Sequence, residues 1–482
     1  MPAIRSPAAQ AACLLLATFA PAQEDPQPRR VKIPDGTLHV VHEQADADRA
    51  KLTVWLRCPG GIRSFADSRL YLADLQARWH DRGAAFAVVL PADDARKLAA
   101  TRPHFVVATP HLSDAAEGSE GDTDAAAMRD TQVVVTASDG AVLAITQDLD
   151  GIVDAIAHSL AGDPLDPAIW PRLQLLLNRV ADGGEFAQEC QSLLAALPHS
   201  GRAHASKVLF HWWCEGDLQA ARDAVDAAIA RLATEAVPMA TFADLVLRGD
   251  RADRSVARKL AMAMAPVAAG APDGVFSQLV YLRALLRAGQ DRLAGRVAAS
   301  LPKLLGGDAR SQLLFAETLM EADTPQVFRD LAERAITQAE DHGMDRWVYA
   351  ARHKVLKRCG DDQAAADLMV AYRKSNFTSG GLNNDAWYLM VRPETMGRFD
   401  TLALAQCEEM QRIEGDAIDP GSKDTVALAL FVNGRIDEAV ALQTEAAKES
   451  GDTETYVGRL TRYRATRDEL AKAAQSSPGT KR

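Results

Sequence analysis

A glycine-centred turn recurs through the last two-thirds of this 482-residue chain at a near-constant interval. It stands at Gly184, Gly216, Gly249, Gly289, Gly360, Gly397 and Gly434, with a weaker copy at Ala322. Successive steps are 32, 33, 40, 33, 38, 37 and 37 residues. Self-similarity at that period predicts a solenoid of helical hairpins, in which each unit buries its apolar face against its neighbours. The copy around Gly434 (DTVALALFVNGRIDEAVALQTEAAKES) is the plainest. Val426, Ala427 and Leu430 share one face of a first helix, and Gly434 ends it as a C-terminal glycine does. Ile436, Ala439, Val440 and Ala446 then line a second helix. The alanines mark the seam, because antiparallel helices approach closely only where side chains are short. Gly216 repeats the arrangement, with Val208, Leu209 and Trp212 before it and Leu218, Ala221 and Ala228 after. A hydrophobic content of 48% with only 6% aromatic suits such closely packed helices.

Over residues 171–463 this pattern resembles the tetratricopeptide repeat (TPR), most closely at Gly434 and Gly216 and least at Gly249 and Ala322. The resemblance implies a TPR-like helical repeat domain over 172–470, about eight hairpins long. Its first helices would form a concave face that holds a protein or peptide partner. Steps of 37 to 40 exceed the family's usual period of about 34. They predict longer helices or loops, such as VRPETMGR at 391–398.

Residues 31–163 follow a different grammar. Short apolar runs at 52–56 (LTVWL), 85–90 (AFAVVL) and 105–108 predict strands, separated by helical patterns at 68–82 and 93–101. Two further runs, 131–137 and 141–146, flank Ser138-Asp139-Gly140 as a hairpin, and an amphipathic helix over 152–160 follows. Alternation of this kind predicts an α/β sandwich on a mixed sheet. The order of LTVWLRC, AFAVVLPADDARKL and TQVVVTASDGAVL resembles the thioredoxin fold of exported thiol-disulfide reductases and peroxiredoxins. The expected architecture is thus a multidomain α/β plus all-α chain: a thioredoxin-like sandwich, then a TPR-like α-solenoid.

The catalytic marks of that family are missing. Its Trp-Cys-x-x-Cys loop corresponds to Arg57-Cys58-Pro59-Gly60-Gly61-Ile62-Arg63-Ser64, with one cysteine and no resolving partner. Thr131 stands where the family carries a cis-proline, and no Pro-x-x-x-Thr-x-x-Cys pattern is present. Cys58 therefore has two readings. In one it is a structural residue at a strand end, and the domain is redox-inactive. In the other it is a lone catalytic thiolate near Arg57 and Arg63, serving a one-cysteine thiol peroxidase or thiol-disulfide exchange protein.

The N-terminus has the form of a secretory signal: Arg5, an apolar core at 11–20, and Ala20-Pro21-Ala22, with cleavage expected after Ala22. That core is too short to span a bilayer, and no later stretch suits a membrane span. The chain should be exported to a bacterial periplasm or beyond, with residues 1–22 removed. Its net charge of −11 argues against a nucleic-acid partner. Cys58, Cys190, Cys214, Cys359 and Cys407 remain after cleavage, none in a CxxC spacing, and the last four read as buried small hydrophobes. His211 and Cys214 are two potential metal ligands without a second pair, so no metal and no cofactor is expected. Trp213, between them, would line the solenoid groove and grip a partner. Prolines at 164, 167 and 171 mark a linker over 164–171, and residues 475–482 read as a polar, disordered tail.

Overall fold

The structure is a computed structural model. It describes residues 30–476, apart from 34–35, 43–49, 59–61, 101–105, 111–131, 139–140, 147–148, 167, 177–183, 249–252, 307, 342–344, 377–378, 392–394, 396 and 416–417. The signal segment, Thr131 and residues 477–482 thus lie outside the described residues.

The front region contains β1 (Arg30–Ile33), β2 (Gly36–His42), β3 (Leu52–Arg57), α1 (Ile62–Trp79), β4 (Ala84–Val89), α2 (Ala92–Ala99), β5 (Val106–Pro110), β6 (Gln132–Ala137), β7 (Val142–Thr146) and α3 (Ile152–Ala161). Its strands form one mixed sheet in the order β1-β2-β5-β4-β3-β6-β7. β3, β4 and β5 run parallel, while β6 pairs antiparallel to β3 and β2 antiparallel to β5. Every residue of β4 (AAFAVV) is buried, as a strand inside a parallel set covered on both faces must be. Across β3 and β6 the Trp55 indole N–H donates to Thr136 Oγ1 at 3.0 Å, which satisfies both buried polar groups. Within the described residues each expected strand falls on a strand of this sheet; residue 105 lies outside them, as Thr131 does. The edge hairpin β1–β2 was not among them. α1 starts at Ile62 rather than Ser68 and closes, through a short 3₁₀ turn, at Gly83 with φ of 100°.

Among the described residues eight helical hairpins follow: α4 (Ile169–Leu176) with α5 (Gly184–Ala196), α6 (Gly201–Phe210) with α7 (Leu218–Leu232), α8 (Ala236–Leu247) with α9 (Arg254–Gly270), and α10 (Val275–Arg287) with α11 (Asp291–Leu305). Then come α12 (Ala309–Leu319) with α13 (Arg329–Glu340), α14 (Asp345–Arg358) with α15 (Asp362–Asn376), α16 (Ser379–Val391) with α17 (Asp400–Glu414), and α18 (Pro420–Val432) with α19 (Ile436–Glu449). A last helix, α20 (Glu454–Ser476), packs on α19 and also reaches the turn after α6.

Five of the seven glycine turns are where the sequence puts them. Gly216, Gly289, Gly360, Gly397 and Gly434 have φ of 69°, 68°, 79°, 74° and 80°, a left-handed conformation that only glycine adopts at little cost. Gly184 differs, since it opens α5 instead of closing α4. Gly249 lies outside the described residues. The first helix α12 and the second helices α7 and α9 start on aspartate caps: the carboxylates of Asp217, Asp253 and Asp308 accept backbone N–H bonds of 2.8, 2.9 and 3.0 Å. The seam residues Ala221, Ala228, Ala427, Ala439 and Ala446 are all fully buried.

First helices stack in a row from α6 through α8, α10 and α12 to α14. There the row shifts, and α14 packs against the second helix α17. The apolar core divides at the same place. One cluster runs without a break from Leu52 in β3 to Cys359 after α14. A second begins at Ala350 on α14 and ends at Tyr463 on α20. Trp347 packs against both, its ring 5.4 Å from that of Phe399.

Candidate functional site

Cys58 follows β3, and its side chain is completely buried within the first apolar cluster. Its N–H donates to the Val89 carbonyl at 2.9 Å, which extends the β3–β4 pairing by one residue. Residues 59–61, the Pro-Gly-Gly turn, lie outside the described residues. A nucleophilic thiol must ionise and meet its substrate, and complete burial works against both. Cys190, Cys359 and Cys407 are also buried free thiols. Burial pushes the Cys190 thiol up to about 12 and the Cys359 and Cys407 thiols upward too.

The second expected site, Trp213, sits in a π-helical turn (His211–Glu215) that ends α6. Its side chain lies outside the described residues. His211 Nδ1 stands 2.5 Å from Glu215 Oε2, so the imidazole is held by a neighbour on its own turn. Among the described residues no group of three His, Cys, Asp or Glu side chains is placed to hold a metal ion.

The first-helix row carries charge that sequence patterning does not announce. Arg283 on α10 pairs with Asp244 on α8, and both side chains are buried. Asp244 also receives the Arg248 Nε–H at 2.9 Å. Glu317 on α12 accepts the Arg398 guanidinium at 2.9 and 3.0 Å, so the segment after α16 folds back onto α12. Glu321 joins Arg287 at 2.6 Å to Lys354 at 2.8 Å, linking three hairpins through one carboxylate. Burial alone would push the Glu321 carboxyl up. The Arg287 and Lys354 charges outweigh it and hold the group well below the usual carboxylate range. The Asp244–Arg283, Glu321–Arg287 and Glu321–Lys354 pairs join neighbouring hairpins and Glu317–Arg398 reaches across two, so each of these specifies which helix stacks on which.

The front region docks on the same row. α1 packs against α8 and α10. Glu235, just before α8, is the anchor: it accepts the Tyr71 hydroxyl at 2.6 Å and both Arg78 Nη groups at 2.7 and 3.0 Å. A second anchor lies at the start of α3. Asp150 accepts the Ser200 hydroxyl at 2.6 Å and the backbone N–H groups of Gly201 and Arg202 at 2.6 and 3.1 Å, where the positive end of the α6 dipole favours a carboxylate. Asp154 accepts the His199 N–H at 2.8 Å, and its other oxygen is 2.6 Å from His199 Nδ1. The repeated glycines foretell the hairpins, but these carboxylates are scattered singly through 150–321 and carry no local motif. Only the three-dimensional row brings them together.

No family model matches the chain, and no curated protein matches it. Among solved structures it is similar to the crystal structure of the P58(IPK) TPR domain, at 14% identity, over 65% of this chain and 94% of that chain, with a TM-score of 0.17. The helical-hairpin architecture stands on the turns and packing described above. Among the described residues no helix is long and apolar enough to cross a membrane.

Proposed function

We propose that this protein is an exported, non-catalytic protein-binding scaffold: a TPR-like array carrying a redox-inactive, thioredoxin-like front domain. The observation that carries the reading is the fixed union of the two parts. Two sets of buried carboxylate bonds, at Glu235 and at Asp150, tie the sheet to the first hairpins, and the one cysteine at the expected catalytic place is sealed in the core. The strand order β7-β6-β3-β4, with β6 antiparallel and α1 between β3 and β4, supports the thioredoxin-like assignment. Export rests on Arg5, the apolar core at 11–20 and Ala20-Pro21-Ala22. A protein or peptide partner would use the array surface that α1 leaves open, with Trp213 as one grip.

Two measurements test this. The alkylation rate of the native mature chain against pH, beside Cys58→Ser, reads the thiol. The proposal expects no Cys58-dependent reaction until the protein unfolds. A fast Cys58-dependent rate with a midpoint below the ordinary value of about 8.5 would establish the one-cysteine enzyme instead. Exported proteins captured on the full mature chain, each then titrated singly, test the scaffold. At least one should saturate at micromolar concentration or below, and a set in which none saturates overturns the binding role.

A further inference from the structure

A pocket of about 300 Å³ opens between the end of α5 and the pair α6–α7. That is the small end of the range for ligand sites, roughly 300 to 1,000 Å³. Its floor is apolar: Leu194, Pro198, Ala224 and Ala227. Its rim is cationic, with Lys207 from α6 and Arg231 from α7. Both cations are exposed, and among the described residues neither forms an ion pair or hydrogen bond. Arg172, Arg222, Lys259 and Arg287, by contrast, all hold carboxylates.

The nearby acids are engaged elsewhere. Glu189 is bound by Arg172 at 2.7 and 2.8 Å. Asp154, whose field reaches Arg231, is committed to His199. The third polar group of the lining, His204, has Nε2 3.0 Å from the Pro198 carbonyl oxygen. It lies within the field of Lys207, Arg231 and His199. Burial is the main cause that lowers its pKa; the Pro198 hydrogen bond opposes it, and the Lys207 and Arg231 charges add to the lowering, so the cationic rim reaches His204 with no bonded carboxylate between. In a chain of net charge −11 this is a local reversal of sign over a greasy floor.

We propose that this pocket binds a small organic carboxylate, its apolar body on Leu194, Pro198, Ala224 and Ala227 and its carboxylate between Lys207 and Arg231. The proposal is independent of the scaffold reading, because it concerns a small-molecule site on α5–α7. A body of one ring or a short alkyl chain fits the volume. Arginine and lysine together supply directed and diffuse donors for one carboxylate.

The test uses the full mature protein labelled with ¹³C at histidine Cε1, with His204 assigned through His204→Gln. The probes are 3-phenylpropionate, its neutral alcohol 3-phenylpropan-1-ol, and inorganic phosphate. The acid should bind saturably and shift the His204 signal, and should raise the His204 pKa, because an added anion favours the imidazolium. The alcohol should bind at least ten-fold more weakly, and phosphate should not saturate. The Lys207→Ala/Arg231→Ala variant should lose at least ten-fold for the acid, while Arg258→Ala, an exposed cation outside the pocket, should lose nothing. Both substituted positions are exposed, so folding is preserved. Equal binding of acid and alcohol, phosphate binding as tight as the acid, or an unmoved His204 signal at saturation would each overturn the proposal.

Discussion

The two apolar cores of this protein differ in what they join. The first ignores the change of grammar at 164–171: sheet, α3 and the hairpins through α14 share one unbroken cluster. The second belongs to the last hairpins alone, although nothing in the repeat announces a boundary at α14. Change of secondary structure and change of cooperative unit therefore fall at different places. The lesson concerns what a solenoid needs. Each hairpin must be covered on both sides, and a sheet covers a first hairpin as well as another hairpin does. α14 is the shared wall, with Val348, Ala351 and Val355 in one cluster and Ala350 in the other.

The hardest blow to the first core comes from Glu321→Ala. It leaves Arg287 and Lys354, both largely buried, without their shared carboxylate. Removing one partner of a buried ion pair costs about 3–5 kcal/mol. Calorimetry should show the transition of the front domain and early hairpins falling while that of the last hairpins holds. Equal shifts in both would mean that the two clusters unfold as one unit.

The shared wall carries its own titration. His353 on α14 is 2% exposed, and its Nδ1 has no partner among the described residues. Burial, aided by the Lys357 charge, lowers its pKa to about 4. The unfolded chain takes up that proton below about pH 6.5, and the folded chain resists it down to the lower value. Stability should therefore be full above pH 6.5 and decline as pH falls towards 4, by up to about 3 kcal/mol. Urea midpoints between pH 7.5 and 4.5 measure it. His353→Leu should remove this part of the slope, and an identical slope in the variant would falsify the assignment.

Much of the fold was legible, for reasons local in sequence. A left-handed turn needs glycine, so Gly216, Gly289, Gly360, Gly397 and Gly434 could be placed without a structure. Strands covered on both faces are apolar throughout, so AFAVVL announced β4. The start of α1 was not legible: Ile62, Arg63 and Ser64 follow two glycines, and Ser68 imitates a cap. The π-helical turn at 211–215 was missed because one extra residue in a turn leaves no compositional trace. The candidate sites fared differently again. Cys58 was locatable, but its burial depends on residues as distant as Val89. The anchors at Glu235 and Asp150 are contacts across 157 and 51 positions, beyond the reach of any local pattern.

Two glycines load the cores separately, one beside each. Gly201 has no left-handed backbone, but an added Cβ would sit 1.9 Å from the Pro238 carbonyl oxygen, where α6 crosses the start of α8. Gly201→Ala should force the helices apart and cost about 2–3 kcal/mol. Its own N–H bond to Asp150 lies in the same place, so the docking of the front domain should loosen with it.

Gly434 is the reverse case. An added Cβ meets nothing within 4 Å, yet its φ is 80°. Gly434→Ala should cost only the backbone strain, about 1 kcal/mol. One substitution thus loads the first core by collision and the other loads the second by conformation, with no contact in common. If the cores are separate cooperative units, hydrogen exchange at α18 and α19 should quicken in Gly434→Ala and stay unchanged in Gly201→Ala, with the opposite pattern at α6 and α8. Exchange that quickens everywhere in both variants would mean that α14 transmits stability across the wall, and the division of the core would then be geometric without being energetic.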